Sequence, residues 1–290
     1  MAKPAAPLPP RPAPVSERAP EGACDTHVHL LAGTDELALY AGRTQDPAQP
    51  YAAYLADYKA HLENLGVSRG VIVQSIFYGT DNTVTANAVR DMGEGFKGIG
   101  LVPDAATDAD LDRFVDWNFK GVRLNYVHGG VLTWDGVKAM APRLAERGLH
   151  IQMLMHADLH MEDLAADITA LPVPVVFDHI GWPSDMSKGP AHHGFQALCN
   201  ALSDGDAYVK LSGLYRLSDA PHTATDAYVR ALVRANPERC LWGSDWPHIM
   251  LNGAQMPQGA DLWHAFLRAV PHADTRHRIL VQNPAELYEF

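Results

Sequence analysis

The feature that most constrains the fold of this chain is a regular alternation of short apolar runs with longer amphipathic stretches after residue 20. Eight of the apolar runs have the length and the Val, Ile and Leu content of strands that are covered on both faces. We predict these strands around Ala23–Leu30, Gly70–Ser75, Gly98–Val102, Gly121–Tyr126, Ile151–Met155, Val173–His179, Tyr208–Ser212 and Cys240–Ser244.

The stretches between the runs have helical periodicity, and several have a capping residue before them or a glycine after them. Examples are Tyr51–Leu65, Thr83–Met92, Asp108–Trp117, Trp134–Arg147 and Thr225–Arg234. Parallel strands need crossover connections, which such helices supply. The pattern therefore predicts an α/β fold, a single-domain (β/α)8 TIM barrel over residues 21–290, preceded by an extended Pro/Ala-rich arm at residues 1–20. An open doubly wound sheet is the alternative.

Charge and composition exclude several function classes. The formal net charge is −11 and no run of Lys and Arg occurs, which argues against a nucleic-acid partner. No apolar run is long enough to cross a membrane, and the arm lacks the apolar core of a signal peptide. The three cysteines, Cys24, Cys199 and Cys240, are widely spaced and suggest neither disulfides nor a Cys metal site, so we predict a cytoplasmic protein. The sequence leaves the oligomeric state open.

In a TIM barrel, functional residues lie at the carboxyl ends of the strands. His27 and His29 end the first predicted strand, and alternate strand residues face the same side. His179 ends the sixth strand, and Asp245 follows the eighth. We predict that these four residues form the catalytic site, and that they are the ligands if one divalent metal ion such as zinc is bound. An isolated His-x-His pair could also lie on a polar rim with no function.

Several segments resemble a known family. These are DTHVH at residues 25–29, VIVQSIFYGTDN at 71–82, GVRLNYVHG at 121–129, PVPVVFDHIGWP at 172–183, LWGSDWPH at 241–248 and ILVQNPAELY at 279–288. They resemble the amidohydrolase superfamily of the amidohydrolase-2 type and, within it, the 2-pyrone-4,6-dicarboxylate lactonases and related lactone hydrolases. The resemblance implies ring opening of a lactone, with Asp245 activating water while His27, His29 and His179 polarise the carbonyl. It also suggests a place in aromatic-compound catabolism or sugar-acid metabolism.

The resemblance leaves the cofactor open. Many members of the superfamily bind zinc on such residues, whereas the lactonase branch is implied to need no metal. No lysine lies at a recognisable position in the fourth strand, which argues against a binuclear centre and leaves one ion at most. Asp245 could alternatively orient a histidine as a structural acceptor.

Five further residues are candidates for substrate binding. Arg123 and Arg216 correspond by motif to substrate-binding arginines of the lactonases, and a guanidinium group binds carboxylates well. Ser75, Tyr78 and His156 follow strands two and five and could donate hydrogen bonds. For each of the five, a structural role in a salt bridge, in packing or in a loop is the alternative.

The chain departs from the lactonase pattern after strand four, where Val127-His128-Gly129 replaces a basic pair. The predicted substrate is therefore a small anionic lactone that need not be the pyrone dicarboxylate, and the rim loops Leu31–Pro50 and Gly181–Pro190 are expected to select it. Three other functions stay open: a lactone isomerase, a zinc-dependent decarboxylase and a barrel that binds a ligand or a partner protein without catalysis.

Overall fold

The structure, a computed structural model, describes residues 2–205 and 207–290 of the chain. Its centre is one sheet of eight parallel strands in which every strand pairs with its neighbours in chain order. The strands are β1 (Cys24–Val28), β2 (Arg69–Val73), β3 (Phe96–Gly100), β4 (Phe119–Asn125), β5 (His150–Leu154), β6 (Val175–Phe177), β7 (Ala207–Leu211) and β8 (Cys240–Trp242). The predicted parallel barrel is confirmed, because an open doubly wound sheet would not keep this order.

The sheet closes where β1 meets the segment that follows β8. The N–H of Asp245 donates to the carbonyl oxygen of His27 at 2.8 Å, and the N–H of His29 donates to that of Trp246 at 2.8 Å. These bonds hold the residues after β8 against the end of β1. The closure therefore brings two predicted site segments together.

Helices cover the outside of the barrel. They are α1 (Tyr51–Leu65), α2 (Thr83–Met92), α3 (Asp108–Asp116), α4 (Trp134–Ala145), α5 (Ala157–Ala170), α6 (His193–Asp204), α7 (Asp226–Ala235), α8 (Gly259–Ala269), α9 (Ala273–His277) and α10 (Asn283–Tyr288). The N-terminus of α3 shows a full capping box, in which Thr107 and Asp110 each bond the backbone N–H of the other. Among the described residues, no helix is both long enough and apolar enough to cross a membrane.

Apolar side chains form two buried layers. The larger layer packs between the strands and the surrounding helices, and the smaller one fills the barrel interior with residues such as Val71, Val73, Ile99, Val176 and Leu241. Alternation along each strand separates the two layers. It also places the polar residues at the carboxyl ends of the strands above the interior layer.

Residues of the predicted N-terminal arm lie against the barrel. The carbonyl oxygen of Glu17 accepts from the indole N–H of Trp263 at 2.7 Å, and the N–H of Ala19 donates to the carbonyl oxygen of Leu65 at 2.8 Å. The division of the chain at residue 20 stays a prediction.

The first, second, sixth and eighth strands are shorter than predicted, and two of these corrections move predicted site residues. The first strand ends at Val28 and the sixth at Phe177, so His29 and His179 lie just beyond the strands, as Asp245 does after the eighth. His179 has φ 54° and Asp245 has φ 59°, in the left-handed region that non-glycine residues seldom adopt. Such conformations cost about 1 kcal/mol or more each and tend to concentrate at functional sites.

Candidate active site

Three imidazoles surround one carboxylate at the carboxyl end of the barrel. Nε2 of His27 and Nε2 of His29 lie 3.7 and 3.8 Å from Oδ1 of Asp245, and Nε2 of His179 lies 3.8 Å from Oδ2. The ring centroid of His27 is 5.1 Å from that of His29 and 4.8 Å from that of His179. All four residues are buried. The structure thus brings the four residues predicted from the sequence into one cluster.

The two oxygens of Asp245 have different surroundings. Oδ2 accepts a hydrogen bond from the Tyr215 hydroxyl at 2.9 Å and from Nε of Arg216 at 2.9 Å. Oδ1 is buried and has no hydrogen-bond partner in the described part of the chain. Burial opposes ionisation, but the Arg216 guanidinium outweighs it and holds the pKa of Asp245 well below its usual range. Asp245 is therefore ionised at neutral pH, with one oxygen anchored and the other free to react.

Replacing Tyr215 by phenylalanine tests the anchoring of Asp245. The variant loses one donor to the ionised carboxylate, so the pKa of Asp245 rises and the acidic limb of the rate profile moves to higher pH. We expect kcat at neutral pH to fall about tenfold, consistent with one lost hydrogen bond to a charged group. A pH–rate profile measures both effects. Tyr228→Phe, whose hydroxyl donates instead to the carbonyl oxygen of Met186 at 3.0 Å, is the matched control.

Polar contacts of Nδ1 orient the rings of His29 and His27. Nδ1 of His29 lies 2.8 Å from the carbonyl oxygen of Val73, which can only accept, so Nδ1 carries the proton and Nε2 has a free lone pair. Nδ1 of His27 lies 3.2 Å from Oδ1 of Asp178, which favours the same tautomer. Burial lowers the pKa of His29 well below 6.5, so this ring is neutral at pH 7.

Two lone pairs and a carboxylate oxygen therefore face one another without a donor between them. Nε2 of His27 and Oδ1 of Asp245 are both buried, and neither has a hydrogen-bond partner within residues 2–205 and 207–290. An atom of His179 completes a group in which all potential ligand atoms lie within 4.8 Å of one another. Buried acceptors without a donor are costly, and a divalent cation relieves that cost. Imidazole and carboxylate ligands suit zinc, so the cluster fits one such ion.

Beneath the cluster lies a buried polar network that was not predicted from the sequence. Lys210 on β7 donates to the carbonyl oxygen of Thr26 at 2.7 Å and to Oε1 of Gln152 at 2.6 Å, and its Nζ lies 3.5 Å from Nδ1 of His27. Burial lowers the pKa of Lys210 to about 8, although Asp178 opposes the shift. The signal was visible in the sequence, because Lys210 interrupts an otherwise apolar strand.

The cluster opens into a narrow cavity of about 60 Å³ at the mouth of the barrel. Its walls include His29 and His179 from the cluster together with Ser75, Arg123, Asn125, His128, Leu154, Trp182, Arg216 and Asn252. The cavity shares Asn125, His128 and Asn252 with an adjoining space of about 560 Å³, a size that holds small molecules. The free oxygen of Asp245 thus lies near a space suited to a small substrate.

Asp158 at the start of α5 anchors the loop that carries Trp182. Its carboxylate accepts from the N–H and hydroxyl of Ser184, both at 2.7 Å, and from Lys188 at 2.9 Å. Burial alone would raise the pKa of Asp158, but these donors outweigh it and lower the pKa to about 2. This contact fixes one wall of the cavity.

The depressed pKa of Asp158 predicts a pH-dependent contribution to stability. The contribution is present above pH 4, where the carboxyl is ionised even in the unfolded chain, and it is lost as the pH falls towards 2. We expect Asp158→Asn to lower the free energy of unfolding by about 1 to 2 kcal/mol at pH 7. The deficit should shrink at pH 3 in urea titrations. A deficit of the same size at both pH values would contradict this assignment.

A match to a family model decides the family of this chain. The model, described as amidohydrolase, matches residues 24–290. The chain belongs to the amidohydrolase family. The matched region contains every strand of the barrel and all four residues of the cluster.

Curated relatives of this amidohydrolase include enzymes named for lactones. It is 33% identical to a 4-sulfomuconolactone hydrolase of Rhizobium radiobacter, over 96% of this chain and 93% of the relative. It is 30% identical to a 2-pyrone-4,6-dicarboxylate hydrolase of Comamonas testosteroni, over 93% of this chain and 90% of the relative. It is 26% identical to a D-galactarolactone isomerase of Agrobacterium fabrum, over 93% of this chain and 92% of the relative.

A solved structure supports the same relationship. The crystal structure of a putative 2-pyrone-4,6-dicarboxylic acid hydrolase from Pseudomonas putida superposes with a TM-score of 0.75 at 27% identity, covering 92% of this chain and 97% of the other. The fold of the amidohydrolase described here is thus shared along nearly its whole length.

The predicted substrate-binding residues have different positions. Arg123 and Ser75 line the cavity, and Nη1 of Arg123 donates to the carbonyl oxygen of Gln74 at 3.0 Å. Arg216 also lines it, but its Nε bonds Asp245, so its main contact is with the cluster. Two residues are not part of the cavity wall: Tyr78 hydrogen-bonds both backbone groups of Ala32, and Nδ1 of His156 donates to the carbonyl oxygen of Trp182 at 2.7 Å.

Proposed function

We propose that this amidohydrolase hydrolyses a small anionic lactone, with Asp245 as the general base. The observation that carries the proposal is the free Oδ1 of Asp245, which faces the imidazoles of His27 and His29 next to a cavity that Arg123 lines. The names of the relatives support lactones as the substrate class. Arg123 binds the anionic group, because its nearest carboxylate, that of Asp178, lies 3.8 Å away, whereas Arg216 hydrogen-bonds Asp245 directly.

In the proposed reaction, a water molecule lies between Oδ1 of Asp245 and the lactone carbonyl. Asp245 accepts a proton as the water oxygen adds to the carbonyl carbon. The ring C–O bond then breaks, and the leaving oxygen takes the proton that Asp245 accepted. The product is a hydroxy acid, which releases one proton to solvent at neutral pH.

We further propose that His27, His29, His179 and Asp245 hold one divalent metal ion such as zinc. Neutral histidines with free Nε2 lone pairs cannot donate a hydrogen bond to a developing oxyanion, which favours an indirect role for His27 and His29. A bound ion would act as a Lewis acid on the carbonyl. Elemental analysis of protein purified without chelators tests this, and one equivalent lost from His27→Ala but retained in His156→Ala is the expected result.

Hydrolysis is tested by incubating the purified protein with carboxylated lactones at constant pH. We expect one equivalent of base to be consumed per turnover and a product heavier than the substrate by one water. An unchanged mass would indicate isomerisation, the activity that one relative's name gives for that protein. Released carbon dioxide would indicate a decarboxylase, and no conversion would contradict the proposed hydrolysis.

We place this activity in the breakdown of aromatic compounds or sugar acids, consistent with the relatives' names. The cytoplasmic location stays a prediction. The three cysteines that suggested it, Cys24, Cys199 and Cys240, are buried free thiols.

A further inference from the structure

The charges around the cavity restrict what the site can bind. The cavity continues outward into a second space, here called the outer chamber, which is lined by residues that include Tyr40, Thr44, Asn125, His128, Val131 and Asn252. Of the described residues that line either space, only Arg123 and Arg216 are Arg, Lys, Asp or Glu. His128, which lines both spaces, is neutral at pH 7 because burial lowers its pKa.

All three nitrogens of the Arg216 guanidinium group donate hydrogen bonds to other groups of the protein. Its Nε bonds Oδ2 of Asp245 at 2.9 Å, its Nη1 bonds the carbonyl oxygen of Met250 at 3.0 Å, and its Nη2 bonds that of Ile249 at 3.0 Å. The carboxylate of Asp245 balances its charge by direct contact. Arg216 therefore has little capacity to bind a substrate anion as well.

The guanidinium group of Arg123 has fewer hydrogen bonds to the described part of the protein than that of Arg216. Among the residues that the structure describes, the one hydrogen bond of Arg123 runs from Nη1 to a backbone carbonyl, and its buried Nε has no partner. Its Nη2 forms a long ion pair with Oδ2 of Asp178 at 3.8 Å, without a hydrogen bond. Asp178 lies closer to His27, at 3.2 Å. Arg123 is thus the cation of the cavity that remains available to a ligand.

The outer chamber offers polar groups without charge. Asn125 and His128 are joined by a hydrogen bond from the N–H of His128 to Oδ1 of Asn125 at 2.9 Å. Gly129 and Gly130, which follow them, have open space where a side chain would project. Amides and a neutral imidazole hydrogen-bond hydroxyl groups well, but they do not compensate a carboxylate that loses hydration.

We propose that the substrate carries a single anionic group, bound by Arg123, and that the part of it facing the outer chamber is uncharged and polar. This inference rests on the proposed lactone hydrolysis and narrows it to monoanionic, hydroxylated lactones. A second carboxylate would meet Asn125 and His128 rather than a cation. The structure thereby distinguishes this site from one built for a dicarboxylate.

A matched series of γ-butyrolactones with no, one or two ring carboxylates tests the inference. We expect the monocarboxylate to have the highest kcat/KM at pH 7.5, at least about tenfold above the other two. One charge-assisted hydrogen bond to Arg123, or one carboxylate left without a cation, would give a difference of that size. A kcat/KM for the dicarboxylate equal to or above that of the monocarboxylate would overturn the inference and leave the hydrolase proposal intact.

Two variants locate the selectivity. Arg123→Gln is expected to lower kcat/KM for the monocarboxylate about 100-fold and for the uncharged lactone much less. His128→Arg adds a cation to the outer chamber and is expected to raise kcat/KM for the dicarboxylate about tenfold. An equal loss on all substrates in the first variant, or no increase in the second, would argue against the assignment.

A binding experiment tests the proposed charge preference independently of lactone hydrolysis. Cyclopentane monocarboxylate and cyclopentane dicarboxylate have the shape of the lactones but no bond to hydrolyse, and calorimetry measures their affinity for the unmodified protein. Tighter binding of the monocarboxylate without turnover of any lactone would support the charge preference and overturn the hydrolase proposal. Absence of both binding and turnover would overturn both.

Discussion

Asp245→Asn is expected to lower kcat for lactone opening about 1,000-fold or more, because an amide cannot accept the proton of the attacking water. The substitution keeps the size of the side chain, and the amide oxygen can still accept from Tyr215 and Arg216, whose donors lie 2.9 Å from Oδ2. Steady-state kinetics on the best lactone of the series provides the measurement.

Asp167→Asn is the matched control for that experiment. Asp167 lies on α5 and pairs with Lys138 at 3.1 Å on the outer surface, so its loss should leave kcat within about twofold of the unmodified enzyme. Circular dichroism and thermal melting establish that both variants fold. Full activity in folded Asp245→Asn would rule out Asp245 as the base, and metal content measured on the same sample shows whether the substitution also removes an ion.

Lys210→Met is expected to lower the free energy of unfolding by about 3 kcal/mol. The side chain of Lys210 is fully buried, and its loss leaves Oε1 of Gln152 and the carbonyl oxygen of Thr26 without their donor. It also leaves the buried Asp178 without a nearby cation that helps to lower the pKa of its carboxyl. Urea titration at pH 7 measures the change.

Lys138→Met is the control for Lys210→Met. Lys138 has a side chain that is 40% exposed and pairs with Asp135 and Asp167, so its replacement should cost less than about 1 kcal/mol. Lys210→Met should also reduce kcat, because Asp178 and Lys210 both lie against Nδ1 of His27. Unfolding free energies that match in the two variants would mean that the buried ammonium does not stabilise the barrel.

The local pattern of the chain determined the architecture and the location of the site. Eight apolar runs separated by helical stretches leave few topologies, and the parallel barrel among them is the observed one. Because all its strands end at the same mouth, His27, His29, His179 and Asp245 could be assigned to one site before any contact was known. The family resemblance added the chemistry that such residues perform.

Only the tertiary structure decided how the polar groups share their hydrogen bonds. The pairing of Arg216 with Asp245, the position of Lys210 beside Thr26 and the proton on Nδ1 of His29 all depend on contacts between residues far apart in sequence. Local periodicity specifies which face a residue occupies, but it contains no information about which of several nearby donors and acceptors will meet. These pairings form when the barrel closes. In them Arg216 hydrogen-bonds Asp245, whereas Arg123 stays available to a ligand.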